Sequence, residues 1–368
     1  MTTNQPAESL SGGDASTNRR SFLKTVTAGA AVVSGVPGIL NATDKAGTKQ
    51  AVIGTGEYQY QCDHEWGKLP DHLRWGETHG VAVDESGMIY IKHRNRAPEP
   101  MDSIVVFDPM GKYVRSFGKE YHAGGHGIDI RKEGNEEFLY LCDVTHFIFA
   151  KTTLTGEVVW RKEVPQEPEL YTEGKKFSPT NIAFAPDGGF YVADGYGSHF
   201  IHQYDQNANW VRSWGGEGTE EGKFKTPHGL WLDNRTGRAV ELVVADRANA
   251  RLQYFTPNGE YLRSEGNVSF PAHFDIHGDL LLIPDLFARV TLLDRENKLI
   301  THLGYDQKWT DEVLGMVDGK PTFPVKVDSK RWQAGKFMHP HDACFDRAGN
   351  IFVVEWVPNG RVSFLKRV

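Results

Sequence analysis

The sequence predicts an all-β chain folded as a six-bladed β-propeller, and three observations carry that prediction. A pattern of four short strands recurs six times, each repeat opens on the same kind of segment, and an early stretch can supply the one strand the last repeat lacks. Lys225–Gly266 displays the unit: HGLWLD, a turn at Asn234–Gly237, ELVVAD, a loop, RLQYF, the turn TPNGE, and YLRSEG. Its short apolar runs are rich in β-branched and aromatic residues and bounded by Gly, Asn, Asp or Pro, the pattern of antiparallel strands. One such unit cannot bury its own faces, so it needs neighbours.

The opening segments recur as HGVAVD (His79–Asp84), HGIDI (His126–Ile130), TNIAFAPDG (Thr180–Gly188), HGLWLD (His228–Asp233), AHFDIHGD (Ala272–Asp279) and HDACFD (His341–Asp346). Their spacing, about 45–50 residues, is that of a four-stranded blade. The sixth repeat reaches Val368 with three strands only. EYQYQCD (Glu57–Asp63) is expected to add the fourth, closing the ring and removing both free edges.

The first 45 or so residues differ in kind. A polar start leads to Asn18-Arg19-Arg20-Ser21-Phe22-Leu23-Lys24 and then a weakly apolar run, Thr25–Leu40, broken by Gly and Pro37. This stretch resembles a twin-arginine export signal, and it is too interrupted for a stable membrane-spanning helix. The expected organisation is an export signal and disordered N-terminus over 1–45, then the propeller over 46–368. The twin-arginine translocase is the partner so implied, and the periplasm or the exterior the location.

Composition narrows the functions. There are 41 Lys and Arg against 48 Asp and Glu, a formal charge of −7, which argues against a broad basic surface for nucleic acid. Cys62, Cys142 and Cys344 are too scattered for a disulfide framework or a thiolate zinc site and read as buried small side chains. Residues 163–179, 214–227 and above all 304–337 exceed turn length, and the last reads as a lid or rim element.

Propeller geometry turns the repeat into a site. The innermost strand of each blade lines the central channel, so the residues that open it ring one mouth: His79, His126, Asn181, His228, His273 and His341. A single histidine there often just bonds to the next blade; five of six, in a chain with 15 histidines among 368 residues, need another reason. Alternate blades are related by about 120°, so three imidazoles can meet one ion on the axis and leave a position open, as a catalytic zinc requires. Of the two alternating sets, His126, His228 and His341 is all histidine, whereas His79, Asn181 and His273 is not. The residues ending the second strands lie farther out on the same face: Arg94, His146, Tyr196, Arg247, Asp285 and Glu355.

The wording GKFKTPHGLWLD…VVADRANARLQYFTPNGEYL resembles NHL-repeat propellers. The set HRNR (His93–Arg96), GHGIDI (Gly125–Ile130), VADGYGSHFIHQY (Val192–Tyr204), TPHGL (Thr226–Leu230), VADRANARLQ (Val244–Gln253) and HPHDACFDRAGNIFV (His339–Val353) is similar to one subgroup, the peptidyl-α-hydroxyglycine α-amidating lyases. That resemblance implies zinc on His126, His228 and His341, a catalytic Tyr196, Arg94 beside the reacting centre and Arg247 on the substrate. It also implies a structural calcium on the Asp342 carboxylate and the carbonyls of Val81 and Ile128, oxygen donors that suit that ion. The substrate implied is a small molecule or peptide ending in α-hydroxyglycine, R-CO-NH-CH(OH)-COO⁻, split into an amide and glyoxylate. Tyr196 would be the base, with Arg94 and zinc favouring its phenolate, and Arg247 would hold the carboxylate.

Three departures accompany the resemblance. Gly197 stands where the animal lyases carry a disulfide beside the tyrosine, His339 where a methionine is familiar, and the sequence shows no copper-dependent hydroxylating domain. Two other readings compete: a non-catalytic exported NHL scaffold, and a calcium-dependent propeller hydrolase of the lactonase type using Asp285 or Glu355 as base. Three imidazoles also accept divalent ions other than zinc.

Overall fold

In the computed structural model, residues 40–43, 49–165, 170–172 and 174–368 are described. The twin-arginine stretch and nearly all of the apolar run after it lie outside them. Six sheets of antiparallel strands stand around an axis. Blade one is Glu77–Val83, Ile89–Arg94, Ile104–Phe107 and Tyr113–Phe117, and blades two to five repeat this meander from Gly125, Ile182, Pro227 and Asp275.

The sixth blade closes the ring as the sequence predicts. Its strands Pro340–Phe345, Ile351–Glu355 and Val362–Arg367 are joined by Tyr58–Asp63, with Leu365 opposite Cys62. Two further strands, Lys49–Thr55 and Leu40–Thr43, extend that sheet outward, the second from within the segment assigned to the leader.

The core consists of wedges between neighbouring blades. Alternation along each strand builds them: Leu242 and Val244 face blade three, whereas Val243 and Ala245 face blade five. Each blade-to-blade interface has its own apolar cluster. Cys62, Cys142 and Cys344 are free thiols buried in these wedges, and burial pushes the Cys62 thiol up to about 12, so they behave as small apolar side chains.

The long excursion after blade five is folded. Helix Gln307–Leu314 is capped by the Asp306 carboxylate, which accepts from Trp309 N at 2.8 Å, and ends on left-handed Gly315. Trp309, Val313, Val325 and Met338 pack together with Val357 of blade six. The excursion is thus a rim element fixed to the propeller. Among the described residues, no helix is long and apolar enough to cross a membrane.

Candidate metal centre

In blades one, two, four and six the first strand slips register as it opens, between Thr78 and Gly80, Gly125 and Ile128, Pro227 and Leu230, and Pro340 and Asp342. Each slip is a β-bulge, and each takes a histidine out of the ladder: His79, His126, His228 and His341. All four are buried. Their rings gather at the channel mouth, with centroids 4.7 Å apart for His126 and His228, 4.9 Å for His126 and His341, and 4.8 Å for His228 and His341.

The three alternate-blade imidazoles are held in the same way. Nδ1 of His126 donates to Thr180 O at 2.8 Å, Nδ1 of His228 to Ala272 O at 2.7 Å, and Nδ1 of His341 to His79 O at 2.7 Å. A carbonyl can only accept, so each Nδ1 carries the proton and each Nε2 is a lone pair. The His-Gly pairs make this possible. A Cβ on Gly127 would lie 2.5 Å from Thr180 O, and one on Gly229 2.4 Å from Ala272 O, so only glycine lets the next blade's carbonyl come within reach of the ring.

This donor set fits a cation. Burial, outweighing the bonds to carbonyls, holds His126, His228 and His341 well below the usual histidine range, so all three are neutral. Nε2 of His126 and Nε2 of His228 are 3.1 Å apart, two lone pairs facing each other, an arrangement that a shared positive ion relieves.

His79 joins the group, which the alternate-blade reasoning does not predict. Ligand nitrogens of His79, His126 and His341 lie within 4.8 Å of one another. Its ring is placed differently from the other three: Nδ1 is 3.2 Å from His341 Nε2, and Nε2 is 3.8 Å from the Glu77 carboxylate, with no carbonyl fixing the tautomer. The trio built alike, His126, His228 and His341, has the better-prepared lone pairs.

Tyr196 reaches this centre. Its hydroxyl is 3.0 Å from His228 Nε2 and 3.4 Å from His126 Nε2. The turn that carries it is fixed by Asp194, whose carboxylate accepts from the amides of Ser178 and Ser198 at 2.6 Å and from the Tyr171 hydroxyl at 2.9 Å. Gly197 is required there, since a Cβ would lie 1.9 Å from Asp194 Oδ1.

The two arginines are placed differently from one another. Arg247, not Arg94, is the cation at the tyrosine, with Nη1 donating to the hydroxyl at 3.0 Å. Arg94 lies opposite Glu77 in the blade-one ladder and grips its carboxylate with Nε at 3.1 Å and Nη2 at 2.8 Å. A paired carboxylate one strand away captures a long side chain, and sequence spacing does not show which way such a chain turns.

Deeper in the channel Asp342 is buried beside Val81, but the contact runs through the Val81 amide, which donates to Oδ2 at 2.9 Å. One more carboxylate, Asp129, which the sequence reading did not single out, shares the space with His273 of the mouth ring. His273 Nε2 is 3.2 Å from Asp129 Oδ1, and Asp129 Oδ2 is buried without a hydrogen-bond partner. Burial pushes Asp342 up to about 8. Buried oxygens of this kind fit a hard cation. Asp285 and Glu355 are committed elsewhere: Asp285 accepts from the amides of Ser269 and Phe270, and Glu355 from that of Met338 and from Arg361.

A six-bladed propeller with a three-imidazole centre on its axis is the class of protein that fold and site define. The comparisons agree with it. No family model matches the chain. It is 29% identical over 238 residues to peptidyl-glycine alpha-amidating monooxygenase B of Xenopus laevis, covering 55% of this chain and 25% of that protein. Over 341 residues it is 26% identical to peptidyl-alpha-hydroxyglycine alpha-amidating lyase 1 of Drosophila melanogaster, covering 81% and 58%. Human NHL repeat-containing protein 3 is 28% identical over 222 residues, covering 58% and 61%. The chain is therefore a distant homologue of proteins named as amidating lyases and as NHL-repeat proteins, and it spans less than two thirds of each. A solved structure described as a candidate gluconolactonase aligns with TM-score 0.53 at 13% identity, covering 85% of this chain and 95% of that one, which speaks for the fold alone.

Proposed function

We propose that the protein is a zinc-dependent lyase that splits an acyl- or peptidyl-α-hydroxyglycine into an amide and glyoxylate. The observation that carries this reading is the contact of the Tyr196 hydroxyl with His228 Nε2 on one side and Arg247 Nη1 on the other. A base, a cation and a neutral imidazole cluster meet at one oxygen.

His126, His228 and His341 would hold the zinc through Nε2. When bound, the ion supplies Lewis acidity toward the substrate's oxygens. The remaining steps belong to the chain. Arg247 has a buried Nη2 without a hydrogen-bond partner, suited to receive the substrate carboxylate while Nη1 stays on Tyr196. A free tyrosine, with a pKa of about 10, is a poor base at neutral pH, and a guanidinium bonded to its oxygen favours the phenolate. Tyr196 Oη takes the proton from the carbinol oxygen as the C–N bond breaks. That proton is returned to the departing nitrogen, so R-CO-NH-CH(OH)-COO⁻ becomes R-CO-NH₂ and OHC-COO⁻ with nothing gained or lost. Asp342, with carbonyls of Val81 and Ile128, is the proposed calcium site, and Asp129 is a further oxygen donor there.

The engagement of Asp285 and Glu355 in buried hydrogen bonds weighs against a lactonase-type base. Export by the twin-arginine route, to the periplasm or beyond, is part of the proposal and rests on Arg19-Arg20 and the segment after it. One experiment tests the main claim: metal content of the purified protein, together with glyoxylate release from α-hydroxyhippurate. Stoichiometric zinc with release that a chelator abolishes is the expected result. Metal-free protein, or release indifferent to chelation, overturns it.

A further inference from the structure

The four imidazoles at one end of the channel leave little room to pass. Their ring centroids are 4.3–5.2 Å apart, and all four are buried. An ion arriving from that side meets nitrogen lone pairs first, which suit zinc and its neighbours better than a hard ion. The oxygens of Asp129 and Asp342 lie farther along the same innermost strands, beyond the rings.

The far end is built differently. A cavity of about 400 Å³ opens there, walled mainly by the downstream halves of the innermost strands of blades one, two, four, five and six. At about 30 Å³ per water it has room for roughly a dozen, hence for a hydrated ion. Its lining runs from exposed Glu85, Lys132 and Arg347 at the rim to buried Asp129 and His273. Six carboxylates line it, against Lys132 and Arg347, and such a funnel concentrates cations.

One oxygen marks the inner end. Asp129 is only 6% exposed; its Oδ1 meets His273 Nε2 at 3.2 Å, and its Oδ2 is buried with no hydrogen-bond partner. A buried carboxylate oxygen left unmatched is costly, and a cation removes that cost. Asp275, two residues beyond His273, lines the same cavity. Each of its oxygens accepts one backbone amide, from Ile276 at 2.7 Å and from Phe345 at 2.6 Å, and keeps a lone pair. Cys344 is on the wall as well, but burial, with the charges of Asp275 and Asp342 adding to it, keeps its thiol protonated, so the donors on offer are oxygens.

We propose that this cavity is a cation port: a hard divalent ion enters from the face opposite the histidines, is held first by Asp275 and Asp129, and passes on to Asp342. The two metals are then loaded from opposite ends, and neither crosses the other's ligands. The inference rests on the calcium reading of the deep oxygens and not on the lyase reaction.

Terbium is the probe, since it takes oxygen donors as calcium does and Trp231, on the cavity wall, sensitises its luminescence. Uptake is followed by stopped flow on protein with the histidine centre filled with zinc and on protein stripped of zinc. One terbium, displaced by calcium and taken up at the same rate in both, is the expected result. Glu85→Lys, at the exposed far rim, should slow uptake about threefold at low salt and less at high salt. Arg96→Glu, exposed on the histidine face, should leave the rate unchanged. Asp275→Asn should weaken terbium binding about tenfold, and Asp275→Glu should restore much of it. Uptake that zinc blocks, a rate indifferent to Glu85→Lys, or an affinity indifferent to Asp275→Asn overturns the port and leaves the calcium site standing. No bound terbium at all overturns both.

Discussion

Arg247 and Tyr196 are joined by a 3.0 Å hydrogen bond from guanidinium to phenol oxygen, and the same oxygen touches an imidazole of the cluster. On the proposed reading that hydroxyl is the base. Tyr196→Phe is expected to lower kcat by about 10²–10⁴-fold while leaving fold and zinc content intact. Arg247→Met should move the alkaline shift needed for activity to higher pH and raise KM as well, since one guanidinium serves both base and substrate. Glyoxylate release across pH 6–10 checks both. Near-normal turnover by Tyr196→Phe removes the assigned base.

The three imidazoles anchored on carbonyls and the fourth that is not should separate on substitution. His126→Ala, His228→Ala and His341→Ala are each expected to abolish stoichiometric metal. His79→Ala should retain the ion, with weakened affinity because His79 Nδ1 contacts His341. Elemental analysis after dialysis decides it. Retention of zinc by His228→Ala together with its loss from His79→Ala would reassign the trio to His79, His126 and His341.

Gly127 lies against blade three, where a Cβ would fall 2.0 Å from Asn181 Oδ1 and 2.5 Å from Thr180 O. Gly127→Ala must therefore push the blades apart or displace the carbonyl that orients His126. A loss of about 1–3 kcal/mol in stability is expected, with metal affinity reduced about 10–100-fold. Urea unfolding and competition with a chromogenic chelator measure the two effects.

Behind Tyr196 a neutral histidine completes a relay of donors: Trp210 Nε1 to Ser213 Oγ, Ser213 to His202 Nδ1, His202 Nε2 to Tyr171, and Tyr171 to Asp194. Burial pushes His202 down to about 3, so between that value and the ordinary histidine pKa near 6.5 the unfolded chain binds a proton that the folded chain refuses. Its contribution to stability is thus intact above pH 6.5 and declines as pH falls, by about 1.4 kcal/mol per unit. The advantage of the unaltered protein over His202→Asn should narrow between pH 7 and pH 5 in urea titrations. A constant difference would mean that the imidazole takes up its proton as readily in the fold as in the unfolded chain.

Much of this was legible before any coordinates. Repeat spacing fixes the blade count, the short sixth repeat calls for an early strand, and alternate openings select His126, His228 and His341. What escaped did so for physical reasons. His79 belongs to the mouth ring but falls outside the trio on the alternate-blade argument, which cannot show that a neighbouring blade's ring comes within 3.2 Å of His341. That Arg94 turns away from Tyr196 depends on Glu77, a lone carboxylate that the repeat does not share. Glycine after histidine reads as a turn residue, yet its reason is the approach of a neighbouring carbonyl. The outer strand Lys49–Thr55 did leave a signal, an apolar run joined to Tyr58–Asp63 by left-handed Gly56 and Glu57, in a region otherwise read as a link.

The latch between Tyr58–Asp63 and Val362–Arg367 has a consequence for how the protein matures. His341 stands on the innermost strand of that same blade, which is completed by two segments about 300 residues apart. On the proposed reading, the third prepared imidazole would be steadied by that closure, and tight uptake of the ion would report a shut circle.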